Sequence, residues 1–199
     1  PLVPLVPRMT SPPKNFARKD MGESSWLDVG TLPKRLIPDE DRFSEMWDLH
    51  PEHHSEIVIM GKRPQIPRYQ QSYLEDYKFS GAVAKKIPLP KALASYLLWA
   101  NSLGYGEFHQ YLVNWYEDGN SYIGSHSDDE KQLVPGSPIV TITLCRDGTP
   151  RKFRIRTKDA KKTVVEDCLT TNGKILVMGG SFQKEFKHEI VKITGAKAA

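Results

Sequence analysis

The second half of the chain consists of short segments rich in β-branched and aromatic residues, and this pattern limits the possible folds more than any other feature. Residues 108–116 alternate between apolar and polar side chains, and residues 139–144 read IVTITL. Similar short segments, separated by Gly, Asp or Asn, lie at residues 122–127, 152–157, 163–167, 175–178 and 185–193. Such spacing is typical of strands joined by turns. About eight short strands predict a β-sandwich or a barrel.

The first half of the chain predicts helices and loops instead. Residues 88–104 carry apolar side chains at the spacing of one helix face. Residues 39–49 predict a second, short helix within an otherwise irregular stretch at residues 26–54. Residues 56–87 begin with an apolar run and continue with aromatic residues among polar ones, which predicts a strand followed by an exposed loop or hairpin. Helices ahead of strands indicate an α+β domain.

Length and composition allow one domain of ordinary size. The chain has 199 residues, a hydrophobic fraction of 39% and a mean hydropathy of −0.49, which argue against a disordered or membrane-embedded protein. No secretion signal is recognisable, so we expect a nuclear or cytoplasmic protein that binds no membrane. Cys145 and Cys168 do not have the spacing of a metal or redox motif, and we expect both to be reduced.

The N-terminal residues have a different composition. The first thirteen residues contain five prolines, which favours extended, solvated chain. Residues 5–8 (LVPR) resemble a thrombin recognition sequence directly before Met9, so we interpret residues 1–8 as a remnant of an expression tag. We therefore expect residues 1–25 to be flexible and residues 26–199 to form a single domain.

Two histidines and one aspartate in predicted strands suggest a metal site. His126 and Asp128 are two positions apart, so both side chains point to one face of a strand, whereas Asp129 points away. Because so short a pair arises easily by chance, His188 in a later strand adds the decisive weight. Two histidines and a carboxylate on a β-scaffold are typical of non-haem Fe(II) oxygenases. The other histidines lie in loop-like or helix-adjacent sequence and are not expected to be ligands.

Three neighbouring segments then resemble a known family. Residues 114–119 read NWYEDG, residues 123–130 read IGSHSDDE, and residues 135–139 read PGSPI. In this order they resemble the AlkB family of Fe(II)/2-oxoglutarate dioxygenases, and most closely the branch that contains the eukaryotic nucleic-acid repair homologues two and three. The resemblance extends over roughly residues 56–193.

The resemblance implies a fold and a set of cofactors. The fold is a double-stranded β-helix (jelly-roll) core at about residues 105–199, with an N-terminal helical layer and a nucleotide-recognition lid at about residues 56–87. His126, Asp128 and His188 are implied to bind Fe(II). Oxygen activated there hydroxylates an N-methyl group on a base, and the product collapses to the free base and formaldehyde while 2-oxoglutarate becomes succinate.

The co-substrate 2-oxoglutarate is implied to contact Asn114 and Tyr116. The residues themselves agree, because an amide and a phenol two positions apart on one strand face can both donate hydrogen bonds to a bound diacid. The alternative is a polar pair on a solvated strand face.

The implied substrate is an alkylated base of DNA or RNA. A base must leave the helical stack to reach a buried iron, and enzymes hold such a base against aromatic side chains. By match to the family, Tyr77 and Phe79 line the base pocket beside Ser80, and Glu130 lies near the edge of the base. Ordinary strand packing is the alternative for the two aromatic residues.

The same region offers an apolar wedge and several basic residues. Met60 stands directly before Gly61 and Lys62, where family members that enter duplexes carry an apolar wedge, and Met in place of Phe leaves duplex invasion open. The net charge is +4. Seven Lys or Arg residues are concentrated at residues 151–162 and others flank the lid. Such clusters can neutralise phosphates or form a solvated charged face.

One part of the family pattern is missing. AlkB proteins bind the distal carboxylate of 2-oxoglutarate with an Arg that follows the last His ligand, but only Lys192 and Lys197 follow His188. A buried carboxylate without a cation is costly. Either the chain continues beyond Ala199, or the diacid is bound differently, or the protein is inactive. We expect the first, since a missing C-terminal strand would leave an open sheet edge.

The sequence thus predicts a monomeric oxidative N-demethylase that acts on nucleic acid. One alternative is a 2-oxoglutarate oxygenase that hydroxylates a protein or a small molecule. The other is a non-catalytic module that binds nucleic acid or metal.

Overall fold

The computed structural model describes residues 11–79, 81–128, 134, 136–146 and 150–193. In chain order its elements are β1 Ala17–Asp20, β2 Ser25–Thr31, a 3-10 helix Lys34–Leu36, α1 Glu40–Trp47, β3 Tyr69–Tyr73, β4 Tyr77–Phe79, β5 Ala82–Ala84, β6 Lys86–Ile87, α2 Lys91–Asn101, β7 Tyr111–Trp115, β8 Ile123–His126, β9 Ile139–Ile142, β10 Arg151–Thr157, β11 Val164–Thr170, β12 Lys174–Gly180, α3 Phe182–Glu185 and β13 Phe186–Ile190.

Two four-stranded antiparallel sheets form the centre of the protein. One has the strand order β1-β2-β12-β9 and the other the order β11-β10-β13-β8. A three-stranded sheet, β6-β3-β7, and the hairpin β4-β5 accompany them. The predicted α+β class with a jelly-roll core is confirmed, and each strand segment predicted after residue 105 corresponds to one of the strands β7 to β13.

Strand β12 is buried on both faces and connects the two halves of the core. Leu176 and Met178 point into a cluster that includes Phe153 and Ile155 of the opposite sheet. The residues that alternate with them, such as Ile175, point into a second cluster with the helices. Successive side chains of a strand point to opposite faces, so a strand covered on both sides reads as an unbroken apolar run.

The helices pack on the outer face of the first sheet. Asp39 caps α1 by accepting a hydrogen bond from the backbone N–H of Arg42 at 2.9 Å, and α2 begins after Pro90. Trp115 of β7 donates from its indole to the carbonyl of Met46 at 3.0 Å. This buried bond fixes β7, which carries Asn114, against α1. No helix in the described ranges has the length and apolarity needed to cross a membrane.

The expectation of a flexible segment at residues 1–25 and an irregular stretch after it is wrong in part. Residues 17–20 form β1 and residues 25–31 form β2, which pairs with β12 along its whole length. Residues 1–10 lie outside the described part. The apolar pattern of β2 was hidden because a buried Asp28 occupies its centre.

Asp28 is fully buried and accepts three hydrogen bonds from two side chains. Arg18 of β1 donates to its two carboxylate oxygens at 2.7 and 2.8 Å, and the Tyr105 hydroxyl donates to it at 2.7 Å. The guanidinium also lies 4.0 Å from the ring centre of Trp26. The hydrogen bond with Asp28 raises the pKa of Arg18. The ion pair therefore joins β1 to the central strand.

We predict that Arg18→Met lowers the free energy of unfolding by about 3 kcal/mol, because it leaves a buried carboxylate without its cation. Lys14→Met, at an exposed position of the same segment, should change stability by less than about 0.5 kcal/mol. Urea unfolding followed by tryptophan fluorescence measures both variants. Equal stability of the two would contradict an ordered β1.

Candidate active site

Strand pairing brings the two predicted histidine ligands together. His126 ends β8 and His188 lies in β13, and the two are direct partners in the antiparallel register. Their ring centres are 4.3 Å apart. His188 is only 5% exposed, whereas His126 is partly open to solvent. The pairing thus presents both imidazoles on one face.

Asp128 completes the group. Its carboxylate oxygens lie 3.5 Å from Nε2 of His126 and 3.2 Å from Nε2 of His188. All three candidate ligand atoms lie within 4.8 Å of one another, and no other such group occurs within the described ranges. Two imidazoles and a carboxylate suit Fe(II) and leave coordination positions open.

The charges of the group also suit a cation. Burial alone would raise the pKa of Asp128, but the contacts with the two histidines outweigh burial and hold that pKa well below its usual range. Burial lowers the pKa of His188 despite the opposing effect of Asp128. The carboxylate is therefore charged and His188 neutral at pH 7, the states that bind metal. Nδ1 of His188 is buried and has no hydrogen-bond partner within the described residues.

Two residues that sequence reasoning missed support this group. The Phe153 ring stacks on the His188 ring, with centres 5.2 Å apart and planes 12° from parallel. Gln183 of α3 accepts a hydrogen bond from the backbone N–H of Asp128 at 2.9 Å. Neither gave a sequence signal, because Phe153 reads as ordinary strand core and Gln183 lies in the connection between two predicted strands.

Asn114 lies in β7 of the three-stranded sheet, and Tyr116 directly follows that strand. Nε of Arg68 donates to Oδ1 of Asn114 at 2.8 Å, and the Arg151 guanidinium lies 5.5 Å from the Tyr116 ring centre. Burial raises the pKa of Tyr116 to about 12, against the effect of both arginines. The phenol is therefore neutral near pH 7 and can donate a hydrogen bond to an anion.

By sequence, Arg68 and Arg151 belong to basic clusters that can neutralise phosphates or form a solvated charged face, and the structure places both beside Tyr116. Arg151 donates to the backbone carbonyls of Asp118 at 2.8 Å and Val191 at 3.2 Å. Strand alternation would have indicated this, because Arg151 shares the inward face of β10 with Phe153. The position of Arg68 was harder to predict. The sequence placed Arg68 in the lid, but it directly precedes β3, and β3 pairs with β7.

Three of the remaining basic residues of the 151–162 cluster pair with acids on neighbouring strands. Arg154 and Lys152 both pair with Asp167 of β11, at 2.7 and 3.2 Å. Arg156 pairs with Glu189 of β13 at 2.8 Å. These acids reduce the positive charge that the run offers to phosphates.

The predicted base-pocket aromatics lie together in β4. The rings of Tyr77 and Phe79 stack with centres 5.3 Å apart and planes 17° from parallel. Both are partly exposed and lie outside the two buried core clusters. Ser80 and Glu130, predicted to accompany them, fall outside the described residues.

Met60 and Lys62 lie at the tip of a hairpin whose ends meet in the bridge between Ile59 and Lys62. Met60 is 98% exposed and has a φ of 49°, a conformation that few non-glycine residues adopt. Within the described residues, no hydrogen bond or ion pair connects this tip to the His126 group.

Comparison with known proteins agrees with this site. The family model of the 2OG-Fe(II) oxygenase superfamily matches residues 42–198. The chain is 31% identical over 142 residues to the DNA oxidative demethylase ALKBH2 of Mus musculus, covering 68% of this chain and 59% of that protein. It is 29% identical over 143 residues to the Homo sapiens protein of the same name, covering 67% of this chain and 54% of that one. The chain thus spans little more than half the length of these relatives.

The chain is also similar in sequence to a viral protein and in fold to a solved structure. The RNA replication protein of Grapevine virus A (isolate Is 151) is 26% identical over 132 residues, which are 66% of this chain and 7% of the viral protein. The solved structure of OsALKBH1 matches with a TM-score of 0.53 at 15% identity and covers 92% of this chain and 91% of its own. The latter supports the fold alone.

Substitution of a residue that only supports metal ligands typically weakens metal binding by roughly 10–100-fold. We predict that Asp128→Asn weakens binding of Mn(II), an air-stable substitute for Fe(II), by more than this. The reason is that the only negative charge of the ligand group is removed. Asp167→Asn, which removes a carboxylate from the outer face of β10 and β11, is the matched control and should bind Mn(II) normally. Calorimetric titration measures both, and equal affinity would contradict a metal site.

Proposed function

Because this chain belongs to the 2OG-Fe(II) oxygenase superfamily, whose cofactors are Fe(II) and 2-oxoglutarate, we propose that it removes N-linked methyl groups oxidatively from the bases of nucleic acid. The convergence of His126, Asp128 and His188 is the observation that carries the proposal. The similarity to two proteins named DNA oxidative demethylase supports the choice of substrate.

In this proposal each residue has a defined role. His126, Asp128 and His188 hold Fe(II), and Asn114 and Tyr116 donate hydrogen bonds to 2-oxoglutarate. The bound metal supplies oxygen activation: 2-oxoglutarate is oxidised to succinate and CO2, and one oxygen atom of O2 enters the C–H bond of the methyl group. The N–C bond of the resulting hydroxymethyl group then breaks, which releases formaldehyde and returns a proton to the base nitrogen.

Tyr77 and Phe79 would hold the base. An extruded base loses its stacking in the helix, and an aromatic side chain replaces that interaction. The two stacked rings are held on a short hairpin rather than in the core, and both keep exposed surface. Ordinary packing would bury such rings.

The hairpin tip at Met60 would contact the strand around the base. Val58, Ile59 and Met60 are 39%, 48% and 98% exposed, and Lys62 follows directly. Apolar side chains that water would otherwise surround can insert beside bases, while the lysine approaches a phosphate. The turn directs Met60 into solvent, away from the hydrophobic core.

RNA is the second candidate substrate. The similarity to a viral protein of RNA replication favours it, whereas the two mammalian relatives carry DNA in their names.

The experiment that tests the proposal is formaldehyde release from N-methylated DNA and RNA oligonucleotides of one sequence, with Fe(II), 2-oxoglutarate and O2 supplied. Release that is equimolar with succinate is expected, and 2-oxoglutarate turnover without formaldehyde would point to a protein or small-molecule substrate. The predicted monomer and its nuclear or cytoplasmic location stay predictions.

We predict that Phe79→Ala lowers kcat/KM on methylated oligonucleotides by about 10–100-fold, because stacking of a base on an aromatic ring contributes roughly 1–3 kcal/mol. Uncoupled turnover of 2-oxoglutarate should persist, since the metal and the co-substrate sites are untouched. Val83→Ala, at an exposed position of the same hairpin, is the control and should retain activity. Equal losses of kcat/KM in the two variants would indicate that Phe79 only packs within the hairpin and does not hold the base.

A further inference from the structure

Arg68 lies at the centre of the polar face of the sheet formed by β3 and β7. It precedes β3, so its side chain shares a face with Gln70. Gln70 and Asn114 are direct partners across the two strands. Three polar side chains that sequence reasoning kept apart therefore meet beside the candidate diacid site.

The guanidinium of Arg68 bonds only to neutral oxygens within the described residues. Nε donates to Oδ1 of Asn114 at 2.8 Å, and Nη2 donates to Oε1 of Gln70 at 3.0 Å. A third, longer contact of 3.5 Å reaches the carbonyl of Tyr122. Burial lowers the pKa of Arg68 although Tyr116 and Tyr77 oppose it. Buried cations are usually paired with anions, and this one faces amides instead.

The contact with Arg68 decides how the Asn114 amide is oriented. A guanidinium carries only donors, so the amide atom that meets it must be the oxygen. The NH2 group of Asn114 is then turned away from Arg68 and is available as a donor. Without Arg68, the amide could turn and present its oxygen to an incoming carboxylate, which would repel it.

We propose that Arg68 is the positioning residue for the diacid co-substrate, because it fixes Asn114 with the amide NH2 directed to a carboxylate. The inference rests on the proposed function, in which Asn114 binds 2-oxoglutarate. Arg68 could orient Asn114 in this way whether or not an arginine that binds the distal carboxylate follows His188.

Gln70 adds an independent observation. It is only 3% exposed, and its Nε2 is buried and has no hydrogen-bond partner within the described residues. Arg68 holds the carbonyl oxygen of Gln70 in the same way as that of Asn114. One guanidinium thus orients two amides, that of the buried Gln70 and that of the half-buried Asn114. An unpaired buried donor such as Nε2 of Gln70 is costly unless a ligand accepts from it.

The test measures binding of 2-oxoglutarate to the Mn(II)-loaded protein by calorimetry, without any nucleic acid. Arg68→Met should weaken 2-oxoglutarate binding by about ten-fold or more, because hydrogen bonds to a charged group are lost or misdirected. Mn(II) affinity should stay within about two-fold of the parent. Arg154→Met is the matched control, since its guanidinium pairs with Asp167 on the outer face of β10, and it should bind 2-oxoglutarate normally.

A double-mutant cycle separates positioning from charge. If Arg68 acts through Asn114, Arg68→Met combined with Asn114→Ala should lose no more affinity than the larger single loss. Additive losses would overturn the inference. If Arg68→Met fails to fold, Arg68→Lys is the alternative variant, because it keeps a cation at the site. Its affinity for 2-oxoglutarate should also fall, since a lysine lacks the planar guanidinium that holds both amides. Full retention of affinity by Arg68→Lys would assign the effect to charge alone.

The outcomes also distinguish this inference from the proposed function. A protein whose 2-oxoglutarate binding depends on Arg68 but that releases no formaldehyde from any methylated oligonucleotide would overturn the substrate and leave the inference standing. Formaldehyde release together with unchanged 2-oxoglutarate binding in Arg68→Met would do the reverse. A parent protein that binds Mn(II) but not 2-oxoglutarate would contradict both.

Discussion

The antiparallel pairing of β8 with β13 is the interaction on which the candidate active site depends. It places His126 opposite His188, and a slip of one residue would turn one imidazole to the other face of the sheet. Several contacts hold the register: the Ser127 hydroxyl donates to the carbonyl of Phe186 at 2.7 Å, and β13 pairs with β10 on its other side. The metal ligands are thereby set by the backbone before any ligand binds.

The site concentrates charges that the rest of the fold avoids. Elsewhere a buried ion has an opposite partner, as Asp28 has Arg18. At the site, the carboxylate of Asp128 faces only imidazoles, and the guanidiniums of Arg68 and Arg151 bond only to neutral oxygens within the described residues. Such an arrangement costs stability in the free protein. A cation bound at Asp128 and a dianion bound at the two guanidiniums would offset that cost.

The sequence could predict the parts of the protein that follow from local pattern. Period-two alternation located β7 to β13, and the spacing of His126 and Asp128 predicted that their side chains meet, although Asp128 follows the end of β8. It could not predict β2, because the polar residue at its centre, Asp28, is stabilised by Arg18 of the adjacent strand and by the distant Tyr105. It could not place Arg68 either, since the direction of that side chain depends on β3 pairing with β7 rather than remaining in the lid. Residues whose role is set by such long-range pairing leave no local signature.

The pairing of β2 with β12 has a consequence for how the chain folds during synthesis. These strands are adjacent in the first sheet, yet almost the whole sequence separates residues 25–31 from residues 174–180. Contacts between such distant segments slow folding because a long loop must close first. On the ribosome, β2 emerges before β12 and has no partner in its sheet beyond the short β1 until residues 174–180 have been translated. Its exposed edge must remain unpaired throughout that interval, which makes it the segment most open to chaperone binding or aggregation.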